Sequence, residues 1–361
     1  MGPLQGVKIV EIAGIGPGPF AAMVLADLGA DVIRVERPGG AAAFGPTDPT
    51  LRGRAVVTAD MKTPEGKELV LALAEKADAL IEGNRPGVME RLGLGPDDLL
   101  ARNPKLVYGR MTGYGQTGPL SSVAGHDINY ISISGILGAI QRTGERPLFP
   151  MNLVGDYGGG GMFLIVGVLA GLIEARQSGR GQVVDAAMTD GSALLAAMMY
   201  GMRAVGAWND EAGTNLLDSG AHFYEVYTAK DGGHVALGAI EPQFYAELLR
   251  LLEIPAEEMP QFDQSRWPEF KERIAGIIAT KTRDEWAAIL EPAEACATAI
   301  YGFGDASSHP HNVARGTFVE IDGVTQPAPA PRFSRTPGEI RPKPSADDAL
   351  AAWGVAVPAA S

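Results

Sequence analysis

Short hydrophobic runs alternate with helical segments through the first 115 residues, and this alternation most constrains the fold. The strand candidates are rich in Val and Ile and lie at residues 7–12, 31–36, 56–61, 78–83 and 106–114. Residues 18–30 have helical periodicity, and a second helix starts at Pro64, where Thr63 is the predicted cap. Strands that alternate with helices predict a parallel sheet, that is, an α/β fold.

The rest of the chain follows a different pattern. Residues 158–178 predict an apolar helix, 178–188 a turn and a strand, and 190–208 a methionine-rich helix. Pro, Ser and Gly dominate residues 305–345, which predicts an extended connector, and residues 346–354 predict a final short helix.

The 361 residues exceed one typical domain of about 150 residues, so we expect at least two domains. We predict a large Rossmann-like α/β domain from residues 1–190 and 305–361. A small α/β domain is predicted at residues 225–300, with connectors at 191–224 and 301–345.

Charge and cysteine content exclude several classes of function. The net charge of −13 argues against a nucleic acid partner, because phosphate binding needs a basic surface. The single cysteine, Cys296, excludes an intrachain disulfide and a cysteine-based zinc site. The close pair His309 and His311 has no nearby Cys or Glu to complete a metal pattern, so we predict no metal site.

No targeting or membrane-spanning segment is predicted. The N-terminus lacks the pattern of a signal peptide. The longest apolar run, residues 160–173, is shorter than the roughly 20 residues that a spanning helix needs. We therefore expect a cytoplasmic protein without a membrane span.

The first strand and its following turn imitate a dinucleotide-binding fingerprint. Gly14 and Gly16 follow the strand, but Pro19 stands where the third glycine belongs. Pro17 also removes an N–H from the turn that would hold a pyrophosphate. This departure favours a tight strand-to-helix turn, with both prolines in the first turn of the helix.

A long set of segments resembles the family III CoA-transferases. The matching segments are GIGPGPFAAMVLADLGADVIRVERPGG, LRGRAVVTADMKTPEG, ADALIEGNRPGVMERLGLG, LVYGRMTGYGQTGP, AGHDINYISISG, NLVGDYGGGGMFLIVGVLAGL and GQVVDAAMTDG. They span almost all of the first 190 residues, and AIEPQFYAELL and APRFSRTPG extend the match. Within this family, the chain resembles the branch of α-methylacyl-CoA racemases.

Two residues distinguish that branch. The transferases have an aspartate nucleophile in a segment like GDYGGG, where this chain has Asp156. The racemases keep the aspartate and add a histidine in a G-H-D-x-N-Y segment, here His126. The resemblance therefore implies a racemase that inverts the carbon next to a thioester, with a transferase that uses Asp156 as nucleophile as the alternative.

The implied chemistry needs two acid/base groups on opposite faces of a planar enolate. The resemblance assigns His126 to the S substrate and Asp156 to the R substrate, and the backbone N–H of Asp127 to the enolate oxygen. Glu241 is expected to orient His126. Structural alternatives are a loop histidine bonded to a carbonyl for His126, and a helix cap for Asp156.

Coenzyme A is anionic, so an acidic protein must gather positive charge locally to bind it. Glycines 158–161 would let backbone approach this ligand closely. The substrate-binding residues that the resemblance implies are Arg37, Arg52, Ala59, Asp60, Met61, Lys62, Gly83, Asn84, Arg85, Arg91, Gly125, Ile128, Asn129 and Tyr130. Met188, Met198, Met199 and Met202 are candidates for an acyl-binding surface, with core packing as the alternative.

The resemblance also implies an interlocked homodimer, since long connectors suit threading one subunit through another. It implies an acyl-CoA thioester substrate from lipid metabolism and no further cofactor, because coenzyme A is part of the substrate. The sequence leaves the acyl group open among branched fatty, sterol side-chain and arylpropionyl thioesters. Around Cys296 the chain has Ala299 where the racemases have proline, and we expect Cys296 to be buried.

Overall fold

The computed structural model describes residues 2–40, 45 and 47–356. The chain divides into two compact units. Unit 1 joins Met1–Ser134, Pro150–Ala196 and Arg315–Ser361, and unit 2 joins Gly135–Phe149 and Ala197–Ala314.

The strands are β1 (Lys8–Ile12), β2 (Asp31–Glu36), β3 (Ala55–Thr58), β4 (Ala79–Glu82), β5 (Val107–Thr112), β6 (Val183–Ala187), β7 (Tyr224–Thr228), β8 (His234–Gly238), β9 (Ala297–Ala299), β10 (Phe318–Ile321) and β11 (Val324–Pro327). The α-helices are α1 (Pro17–Asp27), α2 (Pro64–Lys76), α3 (Val88–Arg91), α4 (Pro96–Arg102), α5 (Asp127–Ile133), α6 (Ile136–Ala139), α7 (Phe163–Ser178), α8 (Met188–Leu195), α9 (Ala197–Ala204), α10 (Pro242–Leu251), α11 (Trp267–Ile278), α12 (Arg283–Leu290), α13 (Phe303–Ala306), α14 (Pro310–Arg315) and α15 (Ala346–Trp353). A π-helix, Leu153–Met162, leads directly into α7.

Unit 1 is built on a six-stranded sheet with the order β3-β2-β1-β4-β5-β6. All its strand pairs are parallel, and Glu11 of β1 pairs with Arg34 of β2 on one side and Ile81 of β4 on the other. The predicted α/β fold is therefore confirmed. The strand order reverses between β1 and β4, which places a crevice beyond the carboxyl ends of these two strands.

Both faces of this sheet are buried, which explains its nearly continuous apolar strands. Val10, Ile33 and Leu80 lie in one core cluster with residues of α2, α4 and α15. Their neighbours Ile9 and Val32 lie in a second cluster with residues of α1 and α7. The predicted cap of α2 is also present, because Thr63 Oγ1 accepts the N–H of Gly66 over 3.1 Å.

Unit 2 contains an antiparallel sheet, β7-β8-β9, and the helices α10 to α12. Trp267, Phe270 and Trp286 are buried in its core. Unit 2 extends beyond both ends of the small α/β domain predicted at residues 225–300. Residues 135–149 also belong to it, where Thr143 donates to the carbonyl of Gly213 over 3.0 Å.

The predicted connectors contain regular structure. The methionine-rich helix is two helices, α8 and α9, and residues 318–327 form an antiparallel hairpin. Asp322 and Gly323 make its turn with φ of 52° and 75°, the left-handed values of a type I′ turn. A Pro-rich composition masked this hairpin, although an Asp-Gly pair between two apolar runs indicates one.

Within the part of the chain that the structure describes, one helical stretch, Leu153–Ser178, matches a membrane span in length and composition. Half of its most apolar part is buried within the fold. Core helices of soluble proteins share these properties, so the stretch is weak evidence for a span. The predicted absence of a span stays a prediction.

Candidate active site

Eight of the predicted site residues follow strands at the carboxyl edge of the unit 1 sheet. Residues 14–16 follow β1, Arg37 follows β2, residues 59–62 follow β3 and residues 83–85 follow β4. Ligands of open parallel sheets bind at this edge, at the point where strand order reverses.

The turn after β1 is bonded to Arg34 and lies next to the carboxylate of Asp156. Arg34 donates to the carbonyl of Gly14 over 3.3 Å, and Pro17 occupies the first helical position of α1. Gly16 has a φ of 68°, and a Cβ there would lie 3.4 Å from Oδ2 of Asp156. The predicted tight turn, with prolines in the first turn of the helix, is present.

His126 is the N-cap residue of α5 and its side chain is exposed. Its backbone N–H donates to Oδ1 of Asn129 over 3.0 Å, which fixes the entry into the helix. Tyr130 supports the same loop from beneath, since its hydroxyl donates to the carbonyl of Gly125. Its ring packs edge-on against Tyr114, with the centroids 4.9 Å apart.

Tyr130 therefore supports the loop, and its predicted contact with substrate stays a prediction. It is buried, and its ring fills space that a Cβ on Gly113 or Gly125 would occupy. Burial raises the pKa of Tyr130 to about 12, so its hydroxyl stays a donor at neutral pH.

Asp156 lies in the first turn of the π-helix and is half-buried. Its Oδ2 accepts a hydrogen bond from the amide of Asn152 over 3.0 Å. Burial raises the pKa of this carboxyl and the negative charge of Asp127 raises it further, while the Asn152 bond and His126 lower it. The overall direction is upward, so Asp156 is a better proton acceptor than an exposed aspartate.

Asp127 joins the two segments that carry His126 and Asp156. Its buried carboxylate accepts the backbone N–H of Asp156 at Oδ2 over 2.8 Å. The approach is close enough that a Cβ on Gly155 would lie 2.5 Å from the same oxygen. Asp127 thus links the N-terminus of α5 to the first turn of the π-helix.

The glycine run after Asp156 packs against the protein itself, which corrects the expectation that it approaches a ligand. A Cβ on Gly159 would lie 2.5 Å from Oγ of Ser192 in α8. A Cβ on Gly161 would lie 2.7 Å from the ring of Phe20 in α1. Because the run has no side chains, the π-helix approaches both helices closely. The run lies inside the π-helix, which begins at Leu153, so no helix begins at the run.

Four predicted coenzyme A cations have exposed side chains at this edge of unit 1: Arg37, Lys62, Arg85 and Arg91. Around them, the N–H of Ala59 donates to the carbonyl of Glu36 over 2.7 Å, and Asp60 accepts the N–H of Lys62 over 3.0 Å.

The remaining predicted ligands of unit 1 differ in accessibility. Met61 packs against the core, and Asn84 donates its backbone N–H to Glu82 over 2.6 Å. Gly83, Ile128 and Asn129 are exposed.

Arg52 has a structural role, and its predicted role as a ligand of coenzyme A stays a prediction. Its guanidinium pairs with the buried Asp27 and donates to Gln326 over 2.9 Å and to the carbonyl of Pro327 over 2.7 Å. It ties α1 to β11 and its side chain is only 9% exposed. A sequence cannot distinguish this arginine from an exposed one in the same loop.

The other predicted site residues lie in unit 2. Glu241 is exposed at the N-cap of α10, and its predicted contact with His126 stays a prediction. Met198 is 55% exposed on α9, whereas Met188 is buried in unit 1.

Cys296 is exposed with a φ of 46°, which corrects the expectation that it is buried. His309 pairs with Glu291 over 3.2 Å. Within residues 2–40, 45 and 47–356, no cluster of three metal-ligating side chains is present.

Comparison with known proteins decides the family. The model of CoA-transferase family III matches residues 4–348. The chain belongs to CoA-transferase family III. It is 45% identical to the α-methylacyl-CoA racemase of Mus musculus, over 92% of this chain and 87% of that protein. It is 42% identical to the Homo sapiens α-methylacyl-CoA racemase over the same shares.

A solved structure agrees with this family membership. The crystal structure of a CaiB/BaiF family protein from Brucella suis has a TM-score of 0.82 and 27% identity, and the match covers 98% of this chain and 99% of that one. The two relatives at 42–45% identity are racemases by name, and racemases are isomerases. The family is named after a transferase reaction. The acid/base groups of the site therefore bear on which reaction occurs.

Two residues and one side chain that shape this family III site were not predicted from the sequence. Asn152 bonds to the Asp156 carboxyl, Gly155 makes room for Asp127, and the Asp127 side chain joins the two segments. Asn152 precedes Asp156 by four residues, a spacing that places two side chains together on a helical turn. That spacing was the available signal for Asn152.

Proposed function

We propose that this protein is an α-methylacyl-CoA racemase, which interconverts (R)- and (S)-2-methylacyl-CoA thioesters by proton transfer. The observation that carries the proposal is the link from Asp127 to the backbone of Asp156. It holds His126 and Asp156, two acid/base groups of different kinds, at the edge where an α/β sheet binds its ligand.

The proposed mechanism begins with proton removal from the α-carbon of the thioester. His126 takes the proton from the S substrate, and Asp156 takes it from the R substrate. The electron pair moves into the carbonyl and forms a planar enolate. The opposite group then returns a proton to the other face, so each group acts as base in one direction and as acid in the other.

The enolate oxygen needs a hydrogen-bond donor aimed at it, and α5 can supply one. Asp127 is the first residue of this helix, and the first N–H groups of a helix have no partner within it. The helix dipole also favours negative charge at this end. We assign the backbone N–H of Asp127 to the developing oxyanion.

Positive side chains at the same edge suit the phosphates of coenzyme A. Arg37, Lys62, Arg85 and Arg91 are exposed there, and Arg85 follows β4, next to the point where the strand order reverses. Coenzyme A belongs to the substrate, and the proposed proton transfers use side chains alone.

Residues of unit 2 complete the proposal. Glu241 orients the ring of His126, and the methionines of α9 adapt to acyl groups of varied shape. The carboxyl and thioether chemistry of these side chains supports both roles.

The proposed assembly is a homodimer. The apolar side chains of Met162, the last residue of the π-helix, and of Val166 and Ile173 of α7 recur on one exposed face, which a second copy of the chain would cover. We also propose a cytoplasmic location and a place in lipid metabolism, in keeping with a 2-methylacyl-CoA substrate.

A second candidate function is CoA transfer with Asp156 as the nucleophile, which the family name favours. In that reaction the Asp156 carboxylate attacks the thioester carbonyl, releases coenzyme A as thiolate and forms an acyl anhydride. A third candidate, a coenzyme A-binding protein without catalysis, would use the same cations.

One experiment separates the three candidates. Incubation of each enantiomer of a panel of 2-methylacyl-CoAs in D₂O should introduce deuterium at the α-carbon if the protein is a racemase. Hydroxylamine should trap a hydroxamate on Asp156 only if an anhydride forms, and such a product would overturn the racemase proposal. Failure of every thioester to exchange would favour the binding protein.

A further inference from the structure

We propose that the side chain of Asp127, as distinct from its backbone N–H, is a positioning residue that holds the carboxyl of Asp156 in place. The inference rests on the proposed function and deepens it, because it names a residue that acts through Asp156. The family resemblance assigns no role to this side chain.

The geometry supports positioning in three ways. Asp127 is the first residue of α5, so it moves with the helix end that carries His126. Its Oδ2 accepts the backbone N–H of Asp156 over 2.8 Å. Glycine at 155 leaves the space for this contact, since a Cβ there would lie 2.5 Å from Oδ2 and 3.2 Å from the Cα of Asp127.

The buried Asp127 carboxylate also has few hydrogen-bond partners. It is 5% exposed, and its second oxygen, Oδ1, is buried without a hydrogen-bond partner among the described residues. A buried carboxylate with one hydrogen bond keeps an electrostatic effect on its neighbours, because little solvent screens it. Asp127 should therefore act on Asp156 through both a hydrogen bond and its charge.

The other elements around Asp156 contribute little charge. The charged groups that act on its carboxyl are Asp127 and His126, both from the start of α5. α1 approaches Asp156 with the backbone of Gly16, and α8 meets the π-helix through Gly159 and Ser192, with Asp190 as its acidic residue. Asn152 of the same turn adds a neutral hydrogen bond. Removal of the Asp127 charge should therefore be visible at Asp156.

Two substitutions separate the hydrogen bond from the charge. Asp127→Asn keeps an oxygen acceptor for the N–H of Asp156 and removes the charge. Asp127→Ala removes both. The matched control is Asp78→Asn, because Asp78 likewise accepts a backbone N–H, that of Lys8, over 2.8 Å at the opposite end of the sheet.

The first measurement is the titration of the Asp156 carboxyl by ¹³C NMR in protein labelled at aspartate, with Asp156→Asn for assignment. We expect Asp127→Asn to lower the midpoint by about one pH unit, since a like charge nearby is removed. Asp78→Asn should leave it unchanged. An unchanged midpoint in Asp127→Asn would overturn the inference.

The second measurement is the pH dependence of α-proton exchange from the R substrate. Asp156 must be ionised to accept this proton, so in Asp127→Asn the rise of the rate with pH should move to lower pH. In Asp127→Ala, kcat should fall about 10- to 100-fold with little change in KM, because the base is misplaced while coenzyme A still binds.

If Asp127→Ala exchanges protons as fast as Asp78→Asn, Asp127 does not position Asp156. If Asp127→Ala fails to fold, Asp127→Asn still decides through the titration. If the unmodified enzyme exchanges no thioester, the proposed function fails. The NMR midpoint then tests the link between the two aspartates by itself.

Discussion

At the scale of single residues, the site depends on a position without a side chain. Gly155 lies between Asp127 and Asp156, and its hydrogen faces the carboxylate that joins them. Helical geometry alone does not require glycine here, whereas the neighbouring carboxylate does. The requirement is therefore steric and arises from a contact between segments 29 positions apart in sequence.

Gly155→Ala should separate the two aspartates. The added methyl would lie 2.5 Å from Oδ2 of Asp127, so we expect a loss of about 1–3 kcal/mol of unfolding free energy and a fall in exchange rates. Denaturant unfolding and deuterium incorporation measure the two effects.

The matched control is Gly276→Ala in α11, where nothing lies within 4 Å of the added Cβ. It should be neutral or stabilising by about 0.5–1 kcal/mol, because alanine is the better helix former. Equal behaviour of the two variants would show that Gly155 has no special packing role.

At the scale of secondary-structure elements, the central sheet was predictable and the supporting contacts were not. The Val- and Ile-rich runs that precede helices led directly to β1, β2 and the other parallel strands. The π-helix was not predictable, because its close contacts with α1 and α8 become evident only in the folded chain. The structural role of Arg52 was not predictable, since its partners Asp27 and Gln326 lie 25 and 274 positions away.

The functional residues divide in the same way. His126 and Asp156 were identified through whole segments that resemble a family, while Asn152 and the Asp127 side chain became evident only from contacts. Resemblance to a family identifies the residues that its members share. The contacts in the structure identify the residues that hold those shared residues in place.

Substitution of Arg52 should lower stability, whereas substitution of Arg37 should weaken substrate binding. Arg52→Ala leaves Asp27 as a buried carboxylate without its partner, which should lower the unfolding free energy by about 3–5 kcal/mol. Arg37→Ala should change stability by less than about 0.5 kcal/mol, because Arg37 is exposed.

Arg37→Ala should instead raise the KM for the acyl-CoA, with a salt dependence weaker than that of the unmodified enzyme. Thermal unfolding and steady-state kinetics of both variants test this difference. Loss of stability in Arg37→Ala together with intact stability in Arg52→Ala would reverse our assignment of the two arginines.

At the scale of the whole molecule, the apolar face of α7 needs an explanation. Val166 and Ile173 are 57% and 60% exposed, and they lie about two helical turns apart on the same side. Large exposed apolar surfaces of soluble proteins mark contacts with other molecules. We expect this face to contact a second copy of the chain.

The protein should sediment as a dimer at micromolar concentration. Ile173→Glu should shift it toward monomer, because a charge in an apolar interface must lose its water. Glu174→Gln on the same helix is the control and should stay dimeric. A monomeric unmodified protein would contradict the proposed homodimer.

The proposed mechanism places His126 and Asp156 on opposite faces of one enolate, and enantiomer-resolved proton exchange distinguishes the two bases. The loss of α-tritium from pure (R)- and (S)-2-methylacyl-CoA is measured with His126→Ala and Asp156→Ala. His126→Ala should lose exchange from the S substrate and Asp156→Ala from the R substrate, each by about 100- to 10,000-fold. Unaltered exchange of both enantiomers by His126→Ala would contradict the mechanism.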